Sequence, residues 1–180
     1  MSRTELHNAI AEKLDKSDRA VVLSIDGPVG AGKTTLASWI SEQFPLAQTV
    51  HMDDLYRGWE LSLGPSLTRE LLSIFEQLAE SGSAFYSKFD WKRNELGETL
   101  EIASPKLLIL EGVGSGQMAI SEFVDIKIWI EIEPAIGLER VLARDGDSIA
   151  EHMELFIEEQ ERHFTSEQTA ERSDFLIPGN

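Results

Sequence analysis

Residues 27–34 read Gly27-Pro28-Val29-Gly30-Ala31-Gly32-Lys33-Thr34, a complete G-x-x-x-x-G-K-[ST], and no other stretch of this chain limits its fold as tightly. The run before it, Ala20 to Asp26 (AVVLSID), is short, apolar and β-branched, as expected of a strand buried on both faces. A helix should begin near Gly32, carry Leu36, Trp39 and Ile40, and stop before Pro45. Between such a strand and helix, the glycines let successive N–H groups converge on one concavity around a phosphate. Lys33 adds a mobile positive charge for the β- and γ-phosphates, Thr34 a hydroxyl ligand for Mg²⁺, and the helix dipole a further fraction of a charge. Gly27, Pro28, Val29, Gly30, Ala31, Gly32, Lys33, Thr34 and Thr35 are therefore the candidate nucleotide-binding residues.

The remaining pattern fits an α/β fold. Ser2 and Glu5 have capping-box spacing, and Leu6, Ile10 and Leu14 extend it into an amphipathic helix over 4–16. Strands are expected at 48–52, 106–110, 125–132 and 175–177, and helices at 68–80, about 134–144 and 148–164. Residues 53–66, aromatic, charged and without a period, read as a loop over a site. Residues 81–104 are less regular, with an edge strand near 100–103. Strands separated by helices predict a three-layer α/β/α domain over 1–180 around a parallel, five-stranded sheet. Residues 1–18 form its N-terminal helix, and a lid-containing helical region spans about 138–165.

Composition narrows the partners. Sixteen Lys+Arg against 32 Asp+Glu give a net charge of −16, which argues against nucleic acid or an anionic membrane as a partner. Any anionic ligand must be held by a local site. There is no cysteine, so disulfides, thiolate metal sites and a cysteine nucleophile are excluded. Nothing near the N-terminus reads as a signal or transit peptide, and cytoplasm is the expected location. Homo-oligomerisation is left open.

A P-loop implies a nucleoside triphosphate, not its use. The Asn-Lys-x-Asp of guanine-specific switch proteins is absent, and Gly114-Ser115-Gly116-Gln117 reads as a plain loop. Asp53 follows the second predicted strand, on the edge where open α/β sheets bind ligands. There it can accept a proton from an attacking hydroxyl or hold Mg²⁺ through water; alternatively Asp53 and Asp54 only cap a helix. Glu111 directly follows the strand at 106–110, where it either stands near Mg²⁺ or is a solvated loop glutamate. Arg140 and Arg144 share a helix face and either reach a phosphate cluster or form surface ion pairs. His7, His51, His152 and His163 have no ligand spacing and read as structural or solvent-facing, with His51 able to touch substrate. Trp39 reads as core, whereas Trp59 and Trp91 either stack on a base or pack locally.

In order along the chain, IDGPVGAGKTT, HMDDLYR, FDWKRNE, LLILEGV, LERVLARDG and, weakly, SDFLIPG resemble the uridine kinase family, with phosphoribulokinases and pantothenate kinases as more distant relatives. The resemblance runs from about Arg19 to Gly179. It implies ATP-dependent transfer to a hydroxyl, with Asp53 as base; Mg²⁺ would be held by Thr34 with Asp53 or Glu111 through water. It also implies charge stabilisation by Lys33, Arg140 and Arg144, and substrate contacts by Tyr56, Arg57, Asp90, Trp91, Arg93 and Glu111. The chain lacks the F-D-H-P-D-A-F-D run that helps hold ribose in ordinary uridine kinases. Trp91-Lys92-Arg93-Asn94 also stands where many relatives have a histidine that reads the pyrimidine. A nucleoside monophosphate, a sugar or a pantothenate-like alcohol are alternative acceptors, and an ATP sensor without transfer is the alternative to an enzyme.

Overall fold

The computed structural model describes residues 2–179. Its main sheet contains β1 (Val21–Asp26), β2 (Ala47–His51), β5 (Leu107–Glu111), β6 (Ile126–Glu131) and β7 (Phe175–Pro178), all parallel, in the order β2-β5-β1-β6-β7. Alternation along each strand sends side chains into two separate cores. Val21, Leu23 and Ile25 of β1 and Leu107 and Ile109 of β5 pack on α1 (Arg3–Lys16) and α2 (Lys33–Gln43) through Leu6, Ile10, Leu36 and Ile40. On the other face Val22, Val50, Leu108 and Leu110 meet Leu67, Leu71, Ile74 and Phe75 of α4 (Pro65–Ser81). This is the expected three-layer α/β/α arrangement, and the strands buried on both sides are the near-continuous apolar runs of the sequence. No helix among the described residues is long and apolar enough to cross a membrane.

Three segments differ from expectation. β2 ends at His51, and a single helical turn, α3 (Met52–Leu55), opens the stretch expected to be loop. α4 starts at Pro65, because proline is suited to the first helical position, where its missing N–H costs nothing. Residues 83–103 form an antiparallel hairpin, β3 (Ser83–Asp90) and β4 (Glu95–Ala103), detached from the main sheet. A register shift between Ser87 and Phe89 breaks the two-residue period of β3, and β4 is mostly solvent-exposed, so neither strand has a clean apolar alternation. Trp39 is only half-buried, with the Arg3 guanidinium over its ring. The remaining helices are α5 (Pro134–Asp145) and α6 (Ala150–Glu167), joined through a 3-10 turn at Asp147–Ile149.

The first turn of α5 lies backbone to backbone on the P-loop. A Cβ on Gly137 would come within 2.3 Å of the Val29 carbonyl oxygen, and one on Gly30 within 2.2 Å of the Gly137 oxygen. Gly137→Ala should therefore push α5 off the loop. The helix-propensity gain of about 1 kcal/mol is outweighed by overpacking that costs about 1–3 kcal/mol. A lower urea midpoint is the expected result.

Candidate active site

A cavity of about 540 Å³ opens at the carboxyl ends of β1, β2 and β5, where strand order reverses and open α/β sheets bind ligands. The P-loop forms one end. Gly27, Gly30 and Gly32 all have positive φ, which lets the loop curl around a concavity. Lys33 is buried, and its ammonium donates to the Gly27 and Pro28 carbonyls, each at 2.8 Å; burial pulls its pKa down while Asp26, Glu111 and Asp53 oppose that shift.

At the foot of the cavity, the Thr34 hydroxyl donates to Glu111 Oε1 at 3.0 Å, and the other carboxylate oxygen bonds His51 Nδ1 at 2.7 Å. Sheet register explains the pairing, since His51 and Glu111 are direct partners on β2 and β5. The hydrogen bond to Glu111 raises the His51 pKa against the opposing effect of burial. With the folded value above the unfolded one, the pair stabilises fully below about pH 6.5 and loses that contribution as pH rises through the folded value. The stability gap between the wild type and His51→Gln, read as urea midpoints, should therefore shrink as pH rises from about 6.5 through the raised folded value.

The two adjacent aspartates part ways. Asp53 faces the cavity, open to its water yet enclosed by protein; this enclosure, with the Glu111 carboxylate, raises its pKa. Asp54 is buried and paired with Lys88 of β3 at 3.0 Å. Arg140, on α5, lines the cavity and donates to the Gly30 carbonyl at 3.3 Å. Arg144 also lines it and forks onto Asp145 at 2.8 and 2.6 Å.

The far end is aromatic. Trp91 lies 4.9 Å from Trp59 and edge-on to Tyr56, and its indole N–H donates to the Asp53 carbonyl at 3.0 Å. Trp59 stacks on His152 at 5.0 Å, and Met153 and Phe156 complete the wall. Trp59 and Trp91 thus both pack locally and line the cavity. The Tyr56 hydroxyl donates to the Val113 carbonyl at 2.8 Å.

Three residues expected at the substrate do not line this cavity. Arg57 pairs with Glu70 at 2.6 Å and ties α4 to the hairpin side. Asp90 accepts the N–H groups of Lys92 and Arg93 and so closes the hairpin turn. Arg93 sits exposed at that tip, 3.9 Å from both Asp90 and Glu95. In the other direction, sequence reading left Asp26 without a role, although it is a fully buried carboxylate at the mouth of the P-loop. An acidic residue ending an otherwise apolar strand was the available signal. The Gly114–Gln117 segment, read as a plain loop, is buried throughout and bonded to Asp26 through the N–H groups of Gly114 and Gly116.

Amides and cations at one end of a cavity, an aromatic chamber at the other and a carboxylate between them suit phosphoryl transfer between two small molecules, the layout of a P-loop kinase. In sequence the chain is similar to uridine kinases and cytidylate kinases. The uridine kinase of Clostridium perfringens is 25% identical over 183 residues, covering 89% of this chain and 88% of that one. The cytidylate kinase of Methanococcoides burtonii is 28% identical over 140 residues, 78% of this chain and 72% of the other. The match to the cytidylate kinase of Archaeoglobus fulgidus, at 28% identity, spans 71% of this chain but only 63% of that protein's length. No protein-family model matches. Among solved structures, a possible uridine kinase from Bacillus stearothermophilus superposes with a TM-score of 0.65 at 20% identity, covering 96% of this chain and 99% of that one. A candidate fructose transport system kinase from Silicibacter sp. TM1040 gives 0.77 at 18% identity, over 99% and 100%. Both share the fold.

Proposed function

We propose that this chain transfers the γ-phosphoryl group of ATP to a hydroxyl of a small, uncharged acceptor, a nucleoside of the uridine or cytidine type. The charge map of the cavity carries this reading. The cations lining it, Lys33, Arg140 and Arg144, belong to the P-loop and α5, whereas the acceptor end is walled by Tyr56, Trp59, Trp91, Met153 and Phe156. A flat ring fits such a wall, and aromatic rings stack there favourably. An acceptor already carrying phosphate would need cations at that end. Nearby basic groups are engaged elsewhere, Arg57 with Glu70 and Lys88 with Asp54. This supports a nucleoside over the nucleoside monophosphate that the name cytidylate kinase implies for those relatives.

In this reading the P-loop amides and Lys33 hold the β- and γ-phosphates, and Asp53 accepts the proton of the acceptor hydroxyl. Arg140 already touches the loop, and Arg144 exchanges Asp145 for the moving phosphoryl charge. The residues fit Mg²⁺: the Thr34 hydroxyl and a Glu111 oxygen converge at 3.0 Å, with Asp53 on the same wall. No cluster of three or more metal-ligating side chains exists among the described residues, which suits an ion that keeps waters and shares phosphate oxygens. Bound there, Mg²⁺ would supply neutralisation of the phosphate charge. The test is coupled ADP release with nucleosides, nucleoside monophosphates, sugars and pantothenate. Uridine or cytidine should stimulate release most; a clear preference for a monophosphate would overturn the proposed acceptor.

A further inference from the structure

The mechanism gives no part to the buried carboxylate that adjoins the P-loop. Asp26 ends β1 immediately before the P-loop and is 1% exposed. Burying a carboxylate is costly unless its oxygens are hydrogen-bonded, and here peptide amides do this. Oδ1 accepts the N–H groups of Gly27 at 2.8 Å and Gly114 at 3.1 Å, and Oδ2 that of Gly116 at 2.8 Å. Gly27 opens the P-loop, while Gly114 and Gly116 belong to the buried arm that leaves β5 at Glu111. The same arm takes the Tyr56 hydroxyl on the Val113 carbonyl, one helical turn from Asp53. A single carboxylate thus fastens the phosphate loop to the segment that carries Glu111 and touches the Asp53 turn. An asparagine, with one acceptor oxygen, cannot bind three amides in this way.

We infer that Asp26 is a positioning residue: it fixes the distance between the P-loop and the Glu111 arm, and so the place where triphosphate and acceptor hydroxyl meet. This rests on the phosphotransfer reading above.

The test uses Asp26→Asn, with direct titration of a fluorescent ATP analogue and steady-state kinetics well below the melting temperature. The variant should bind the analogue more weakly and have a lower kcat, so that kcat/KM for ATP falls about 10- to 100-fold, while KM for the acceptor changes far less. Asp26→Glu, which restores the charge on a longer arm, should recover part of the loss. A variant whose thermal midpoint drops while analogue binding and kcat stay at wild-type values would overturn the inference, leaving the carboxylate a role in the fold alone. If Asp26→Asn does not fold, Gly116→Ala serves with the same readouts, because its Cβ would meet Thr169 Cγ2 at 2.9 Å and Asp26 Oδ2 at 3.2 Å and so strain one arm of the bracket. Wild-type protein that binds the analogue but transfers nothing would overturn the phosphotransfer reading instead, and the binding titration would still decide the part played by Asp26.

Discussion

Asp53→Asn should bind ATP with nearly wild-type affinity and transfer phosphate about 10²- to 10⁴-fold more slowly, the range of a lost general base. The amide keeps the shape and the polar contacts of the side chain but cannot take the acceptor proton. Asp53 opens into the cavity that Thr34 and Glu111 also line, and it is the second residue of α3, with its own carbonyl held by the Trp91 indole. Its neighbour cannot stand in, because Asp54 is buried against Lys88 on the other side of that turn. Calorimetric ATP titration beside single-turnover transfer separates the two effects. Unchanged turnover would remove Asp53 from the role of base.

Lys33→Ala should act on both binding and chemistry. The ammonium is the only side-chain cation contributed by the P-loop itself, and it reaches the Gly27 and Pro28 carbonyls from the first turn of α2. Its removal takes a charge-assisted donor from the phosphates at the point where negative charge moves in the transition state. Losing one such preorganised group typically costs about 10²- to 10³-fold in kcat. ATP affinity should fall as well, and a thermal midpoint close to the wild type would separate this from unfolding. Turnover within a few-fold of the wild type would mean that the phosphates sit elsewhere.

Much of the fold was legible because a sheet covered on both faces needs uninterrupted apolar strands. AVVLSID and KLLIL stand out from a chain this acidic, and the glycine-rich motif after AVVLSID specifies a phosphate loop and a helix in turn. The hairpin was not legible, since most of β4 faces solvent and the break at Ser87 hides the period of β3. Within the site, Lys33, Thr34, Asp53, Glu111, Arg140 and Arg144 line one cavity, reaching it from α2, α3, β5 and α5. Arg57, Asp90 and Arg93 do not line the cavity: a motif gives a residue's position along the chain, whereas the direction of its side chain depends on partners such as Glu70 and on the hairpin turn. The partner of His51 is set by cross-strand register, which pairs it with Glu111 and which no spacing along the chain encodes. Asp26 escaped notice for a related reason, because its partners are backbone amides of Gly114 and Gly116, about ninety residues away, and no motif encodes those.

The most direct test tracks the phosphorus itself. Wild-type protein and Lys33→Ala are incubated with Mg²⁺, ATP labelled at the γ-phosphate and uridine, and the products are separated and weighed by mass spectrometry. Phosphotransfer predicts label in a phosphate ester of the nucleoside with the wild type and none with the variant. Label released only as inorganic phosphate would contradict it and make the chain a hydrolase, and ATP bound by the wild type but left intact would contradict it and make the chain a nucleotide-binding module.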